Sequence, residues 1–350
     1  MAHVCFFVPE HILKHVARQR ASERLAPGPA QRSALVSQQI RERRRRFGLA
    51  GVSQQPTLSL QQTITPPKPG DSDRQIFDDQ NTWNVNVKDV RNEGDAPVGG
   101  PADAAYDALG IVRAFYRQVV GRESIDNQGM TIIGNVNFGL AYDNAFWDGA
   151  EMVFGNGDNV VFKDFTGDLD VPGHELTHGV TQFSCGLGYT PDQVGALNEA
   201  LSDIAGSAID AWHNNKDAGS HDWLIGEGIM ADQLAGEAIR NMAYPGTAYD
   251  DPILGVDPQP LDMSGYTEPG DPHLNSGIIN RWFYLVSQDL GINEAFLVVY
   301  YAMQNLTPTS NFVDFVEACS ATARILAKES KVPAQAAQAV RAAARSQKIL

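Results

Sequence analysis

Apolar residues recur at helical spacing in two stretches near the start of the chain. Residues 9–20 put Ile12, Leu13 and Val16 on one face behind Pro9 and Glu10, which predicts a short helix. Residues 31–47 predict a second, carrying Leu35, Val36 and Ile40, running into Arg43 to Arg46 and stopped by Gly48. Residues 48–75 are rich in Gln, Thr, Pro and Gly and read as a linker, with the body beginning near Ile76. Trp83, Val85 and Val87 alternate as in a strand, and 130–139 and 150–163 read as strands broken by Gly and Asn. Between them, Tyr106, Leu109, Val112, Phe115 and Val119 set a helix over 102–120. From about residue 170 helical periodicity dominates, over 170–184, 194–213, 231–243, 274–290, 293–304, 310–328 and 332–346. Strands first and helices second predict an α+β chain of two lobes, 76–184 and 185–350, behind an N-terminal segment (1–47) and the linker.

The composition narrows what such a chain does. With 43% hydrophobic residues in 350, there is material for one large domain or two packed lobes. A net charge of -15 opposes nucleic acid as a main partner, because phosphate repels an acidic surface. The charge is uneven: residues 1–46 hold ten Lys or Arg against three Asp or Glu, and the remainder seventeen against thirty-nine. A basic arm on an acidic body suggests that one docks on the other. Cys5, Cys185 and Cys319 are odd in number and far apart, so no disulfide framework and no cysteine-based zinc site is expected. No stretch is long and apolar enough to span a membrane, and the apolar patch Val4 to Val8 is too short for a secretory leader. The expectation is a chain without a classical signal peptide, cytoplasmic or exported by a leaderless route.

The chemistry is concentrated at His174-Glu175-Leu176-Thr177-His178, an H-E-x-x-H run on a predicted helix. Positions i and i+4 share a helix face, so both imidazoles can reach one metal ion. Glu175 lies one residue along, where its carboxylate can reach a water at the metal rather than the metal itself. Catalytic zinc usually takes three protein ligands. Glu199, in Asn198-Glu199-Ala200-Leu201-Ser202-Asp203 on the next predicted helix, is the best third candidate, and Asp203 can accept the second ring N–H of a ligating His.

These residues resemble the thermolysin family of neutral zinc metallopeptidases, and His₂Glu zinc is that family's known ligand set. The likeness extends through Asn144 to Gly149, similar to the family's substrate-binding edge strand, through His174 to Gly188, through Gly195 to Asp203, and through His273 to Ile278. It covers roughly residues 76–346 and implies a two-lobed fold with the zinc cleft between the lobes. It implies that His273 and Tyr189 stabilise the oxyanion. Arg240 would hold the carbonyl beyond the scissile bond, and Asn144 with the Ala145 backbone the substrate main chain. Phe162, Phe165, Val171 and Ile239 would line the pocket for the residue after the cleaved bond, implying cleavage before large hydrophobic residues. Asp170, Asp210, Asp222, Glu227 and the Leu224 carbonyl match the family's calcium ligands near the zinc helix, with Asp210 in a place often held by Glu. Asn198 and Asp203 stand in supporting roles behind the zinc ligands.

Two departures from the family pattern stand out. The stretch before His273 is shortened, leaving either Glu268 or Asp271 to orient that ring, and Glu199 lies one residue further on than usual, a difference the loop at Pro191 to Val194 can absorb. At the front, Val8 to Ala17 resembles the short prosegment of protealysin-like members, which covers the cleft and is then lost. Arg43 to Arg46 and residues 48–75 offer cleavage points. Cys5 reads as an ordinary small thiol, with zinc coordination as a latch the less favoured alternative, and His3, His11 and His15 read as surface residues. The expectation is a latent, self-processing zinc endopeptidase acting on proteins and peptides, with its own prosegment as a partner in cis. A zinc aminopeptidase and a non-catalytic homologue that never activates are the rival readings.

Overall fold

The computed structural model describes residues 5–19, 28–48 and 73–350. At the front, helices α1 (Glu10–Gln19) and α2 (Pro29–Gly48) pack against each other, and α1 buries Ile12, Leu13 and Val16 as their spacing predicts. A five-stranded sheet follows, in the order β2-β1-β3-β5-β4, from β1 (Arg74–Asp78), β2 (Lys88–Asn92), β3 (Ile132–Val136), β4 (Ala145–Trp147) and β5 (Met152–Phe154). The central pairs β1·β3 and β3·β5 are parallel and the outer pairs antiparallel, which leaves β4 on an edge. Helix α3 (Gly100–Val120) lies on the sheet and ends at Gly121, whose φ of 69° suits a residue without a side chain.

Trp83 to Val87 do not form the expected strand. Gln80, Asn81 and Asn86 have positive φ, the run is a series of turns, and the strand comes after it at Lys88. Trp83 and Val87 are instead half exposed. The alternation was real, but the Asn residues between the apolar positions favour turn geometry over a ladder.

The helical half comprises α5 (Gln193–His213), α6 (Pro272–Asn275), α7 (Gly277–Leu290), α8 (Ile292–Met303), α9 (Phe312–Lys328) and α10 (Ala336–Ser346). Residues 231–243 are not the expected helix. A single 3₁₀ turn at Asp232–Leu234 gives way at Gly236, with φ of 95°, to a short strand β7 (Arg240–Asn241) that pairs with β6 (Leu224–Ile225). A small ribbon of β8 (Asp250–Asp251) and β9 (Gly255–Val256) follows.

Helix α4 (Asp170–Ser184) joins the two halves, touching β4 and β5 on one side and α5 on the other. Every residue from Asp170 to Thr181 is buried, including two histidines and two carboxylates. Its approach to α5 depends on two glycines: a Cβ on Gly173 would lie 3.0 Å from the Cα of Gly206, and one on Gly206 would lie 2.8 Å from the Asp170 carbonyl oxygen. That close crossing brings Glu199 and Asp203 of α5 beside the histidines of α4.

Candidate active site

His174 and His178 sit one turn apart on α4, with their Nε2 atoms 3.1 Å from each other. Their outer nitrogens are tied back. His174 Nδ1 meets Asp203 Oδ1 at 2.8 Å, and His178 Nδ1 meets Asn198 Oδ1 at 2.8 Å with Ser202 Oγ at 3.1 Å. With each Nδ1–H given to an acceptor, the Nε2 lone pairs face inward. Glu199 brings Oε2 to 3.4 Å from His174 Nε2 and Oε1 to 3.7 Å from His178 Nε2. Two atoms bound to one tetrahedral zinc at about 2.0–2.1 Å lie about 3.3 Å apart, so these separations fit a shared ion. Glu199 Oε2 is buried and has no hydrogen-bond partner, a costly state for a carboxylate unless a cation stands there. Donor set, spacing and orphaned oxygen all suit zinc.

The electrostatics agree. Burial alone would lower His174, but Asp203 and Glu199 outweigh it and raise it to about 9. Burial lowers His178 to about 4. Glu199 goes the other way from what burial dictates: His273, His174 and His178 together pull its carboxyl far down. His174 pulled up and Glu199 pulled down are the directions their mutual attraction gives, and a zinc ion bound there would compete with protons for the inward nitrogens.

Glu175 is also fully buried. Its Oε2 accepts the Trp147 N–H of β4 at 2.8 Å, while Oε1 has no partner. Burial, with Glu199 adding, pushes its carboxyl up to about 8, towards the range of a group that gives and takes protons near neutrality. His273, on α6, has Nδ1 2.9 Å from Asp271 Oδ1. That settles which acid orients the ring, because Glu268 instead accepts from the Tyr266 hydroxyl at 2.9 Å. The Tyr189 hydroxyl donates to Glu199 Oε1 at 2.6 Å. Arg240 is buried and clamps Asp203 with two 2.8 Å bonds, and Asn280 donates to Asp203 Oδ2 at 2.7 Å.

Comparison with known proteins matches residues 29–182 to the thermolysin metallopeptidase catalytic domain and 185–349 to the thermolysin metallopeptidase alpha-helical domain. The solved precursor of protealysin, a metalloproteinase from Serratia proteamaculans, superposes with a TM-score of 0.83 at 36% identity, covering 99% of this chain and 100% of that one. The chain belongs to the thermolysin family, in its protealysin-like group. An extracellular metalloprotease of Pectobacterium carotovorum is 45% identical over 227 residues, 63% of this chain and 65% of that protein. A thermolysin of Bacillus sp. is 39% identical over 242 residues, 66% of this chain and 42% of that protein. The chain therefore spans less than two thirds of the length of these curated relatives.

In this thermolysin-family chain the four expected pocket residues, Phe162, Phe165, Val171 and Ile239, are all buried, and Phe162 and Phe165 face each other with ring centroids 5.8 Å apart. The cleft is occupied by the chain's own N-terminal residues. Phe7 N–H donates to the Ala145 carbonyl at 3.1 Å, and Arg240 Nη1 donates to the Phe7 carbonyl at 3.2 Å. The Asn144 side chain both accepts from Val8 N–H at 2.8 Å and donates to the Val8 carbonyl at 3.1 Å. His273 Nε2 lies 2.8 Å from the Phe6 carbonyl. The Phe7 ring meets His174 edge-on at 5.3 Å and lies 5.1 Å from the Arg240 guanidinium. Phe6 packs in a separate cluster with Phe138, Tyr142, Phe146 and Val153.

Arg41 pairs with Glu10 of the same N-terminal segment at 3.5 Å and lies over Phe6, while Ser33 and Ser37 reach the Asp143 N–H and the Tyr142 hydroxyl. His11 and His15 are half-buried rather than surface residues: His11 contacts the Tyr249 hydroxyl at 2.9 Å and His15 the Pro252 carbonyl at 3.3 Å. His3 and the linker from 49 to 72 lie outside the described residues, as do the side chains of Arg43 to Arg46.

The acidic set expected to hold calcium partly faces other side chains of the protein, one of them a lysine. Lys216 Nζ lies 3.3 Å from Asp222 Oδ2, and His221 Nδ1 lies 3.8 Å from Asp210 Oδ2. The Leu224 N–H donates to Asp222 Oδ1, and Glu227 is exposed. Asp170 Oδ2 accepts the Gly226 N–H at 2.6 Å, but its buried Oδ1 has no partner. Burial, with Asp168 beside it, raises Asp170 well above the usual carboxylate range. Among the described residues, the groups of three or more ligand atoms within 4.8 Å of one another are both at the cleft.

Sequence reasoning missed Phe7, Asn280 and Asp168. Asn280 carried a signal, a polar residue on the buried face of the apolar helix α7. Phe7 carried one only in hindsight, as part of an apolar run too short to be a leader.

Proposed function

We propose that the chain is a zinc metalloendopeptidase, made as a precursor whose N-terminal segment covers its own cleft and is removed by self-processing. The observation that carries the reading is the buried convergence of His174, His178 and Glu199, with Glu175 beside them against the edge strand β4. Bound there, zinc polarises the scissile carbonyl and makes water a competent nucleophile near neutral pH.

The chain's own residues do the rest. Ala145 and Asn144 offer main-chain and side-chain bonds to a peptide lying beside β4, as they do to Phe7 and Val8. Arg240, fixed by Asp203, holds the carbonyl after the scissile bond. Glu175, with Oε2 anchored and Oε1 unpartnered, takes the proton of the attacking water and passes it to the departing amine. His273, held by Asp271, donates to the carbonyl oxygen as negative charge builds there, and Tyr189 turns from Glu199 to do the same. Phe162, Phe165, Val171 and Ile239 favour a large hydrophobic residue after the cleaved bond.

Calcium is the second metal we propose. Support comes from the orphaned Asp170 oxygen and from neighbouring Asp168, whose Oδ2 accepts the Gly228 N–H at 2.7 Å. Since Lys216 and His221 already face Asp222 and Asp210, the ion would rest chiefly on Asp168 and Asp170. A higher melting temperature in calcium than in chelator is the expected result; identical curves would remove the proposal.

An internally quenched peptide with a blocked N-terminus separates this reading from an aminopeptidase, which needs a free substrate amine. The expected result is cleavage before the hydrophobic residue after self-processing, with Glu175→Gln reducing it by about 10²–10⁴-fold. A chain whose mass never changes on incubation, and which leaves the blocked peptide intact, would be the unactivated homologue instead.

A further inference from the structure

The N-terminal segment raises a chemical question. Its bonds to the body are those assigned to a substrate: Ala145 holds Phe7 N–H, Arg240 holds the Phe7 carbonyl, Asn144 holds Val8 and His273 faces the Phe6 carbonyl. That register puts the Phe6–Phe7 peptide bond where a scissile bond would lie, with a large apolar side chain after it. A segment presented in this way would be cut by its own enzyme, unless the attacking group is missing.

Cys5 supplies a reason. It is buried, and its Sγ belongs to a group with one ligand atom each from His178 and Glu199, all within 4.8 Å of one another. Glu199 Oε2, buried in the same place and without a hydrogen-bond partner, is the independent sign that a cation belongs there. Three protein ligands leave zinc with one open position, and thiolate sulfur is among its preferred donors. We propose that Cys5 Sγ occupies that fourth position in the precursor, closing the metal centre and withholding the water that would cleave Phe6–Phe7. The inference rests on the zinc reading above. In the step the Cys5 S–H bond breaks, a zinc–sulfur bond forms, and the proton leaves to solvent with the displaced water; no electrons are transferred. The four ligands would then be two nitrogens, one oxygen and one sulfur, the make-up of a structural rather than a catalytic site.

The arrangement also explains why the latch and the docking residues are adjacent. Phe6 and Phe7 are anchored in separate apolar clusters, and together they fix the position of the residue before them. A thiol held at a preset point binds a metal without paying again for its ordering.

The test uses the full-length chain, as wild type and as Cys5→Ser, with zinc exchanged for cobalt(II). The wild type should show the intense thiolate-to-cobalt charge-transfer absorption, and Cys5→Ser should lack it. Metal content is measured on both proteins. One ion per chain in each, with matching spectra, overturns the latch while leaving the zinc reading intact; no bound ion in the wild type overturns the zinc reading itself. Because Cys5→Ser disturbs a buried position, a second measurement uses the unmutated protein. Iodoacetamide should label Cys5, located by peptide mass, faster after chelation than with zinc bound, and equal rates would contradict the proposal. Cys5→Ala should further release a product beginning at Phe7, which the wild-type precursor does not form, and an uncut Phe6–Phe7 bond in that variant counts against the latch.

Discussion

Arg240 and Asp203, 37 residues apart in sequence, form a buried two-bond pair at 2.8 Å, and the same Asp203 oxygen that receives Arg240 Nη2 also meets His174 Nδ1. One carboxylate thereby fixes both a metal-facing ring and the arginine that reaches the chain in the cleft. Asn280 completes its coordination. Burial opposes ionisation of Asp203, but Arg240 and His174 outweigh it and hold the carboxyl below its usual range.

Asp203→Asn should therefore weaken two functions together. The loss of a carboxylate behind a ligating histidine typically costs about 10–100-fold in metal affinity. The same change leaves the Arg240 guanidinium buried without its counter-charge, which costs about 3–5 kcal/mol when a buried pair is broken. Zinc affinity by competition with a chelator, and thermal melting, read the two effects. Unchanged zinc affinity would mean that His174 is oriented by packing alone.

Phe7→Ala tests how the N-terminal segment is held. Deleting a buried phenylalanine ring costs about 3–5 kcal/mol, here taken from the docking of the segment. The variant should begin self-processing sooner than the wild type when both are followed by mass. An unchanged lag would place the anchoring elsewhere, in Phe6 or in α1 and α2.

The cluster of His174, His178 and Glu199 proposed to hold zinc was legible because its parts are local or nearly so. H-E-x-x-H is a one-turn pattern, and Glu199 and Asp203 lie on the next helix, which a short loop returns beside α4. The features that escaped depend on distant chain. Leu234, Ala238, Ile239 and Met242 mimic a helix face, yet pairing with β6 and the left-handed Gly236 make residues 240–241 a strand. No local pattern announces that Arg240 meets Asp203. Glu268 and Asp271 were indistinguishable in sequence because both flank Pro269 and Gly270, and only the cap geometry of α6 aims Asp271 at His273. The alternation at Trp83 to Val87 misled because it ignored the turn chemistry of the intervening Asn residues.

Away from the cleft, Glu93 sets an acid limit on stability. Its carboxylate bonds Arg74 at 2.6 and 2.8 Å and Arg113 at 3.2 Å. The Arg74 hydrogen bonds lead in lowering it from 4.5 to about 2, so the folded state binds this proton less readily than the unfolded chain does. The stabilisation is complete above the unfolded value and is lost as pH falls towards 2. With solvent screening it is worth about 1 kcal/mol. Glu93→Gln should lower the melting temperature at neutral pH and narrow its gap from the wild type near pH 2. A gap that stays constant with pH would assign the effect to packing.

Metal content and catalysis, measured on the same preparations, decide whether the cleft is a zinc centre. Elemental analysis of the purified chain should give one zinc per molecule, and Glu199→Gln should lose most of that zinc along with cleavage of a blocked peptide, while Glu175→Gln keeps the zinc and loses the cleavage. Full zinc occupancy in Glu199→Gln, or undiminished cleavage in Glu175→Gln, would contradict that assignment.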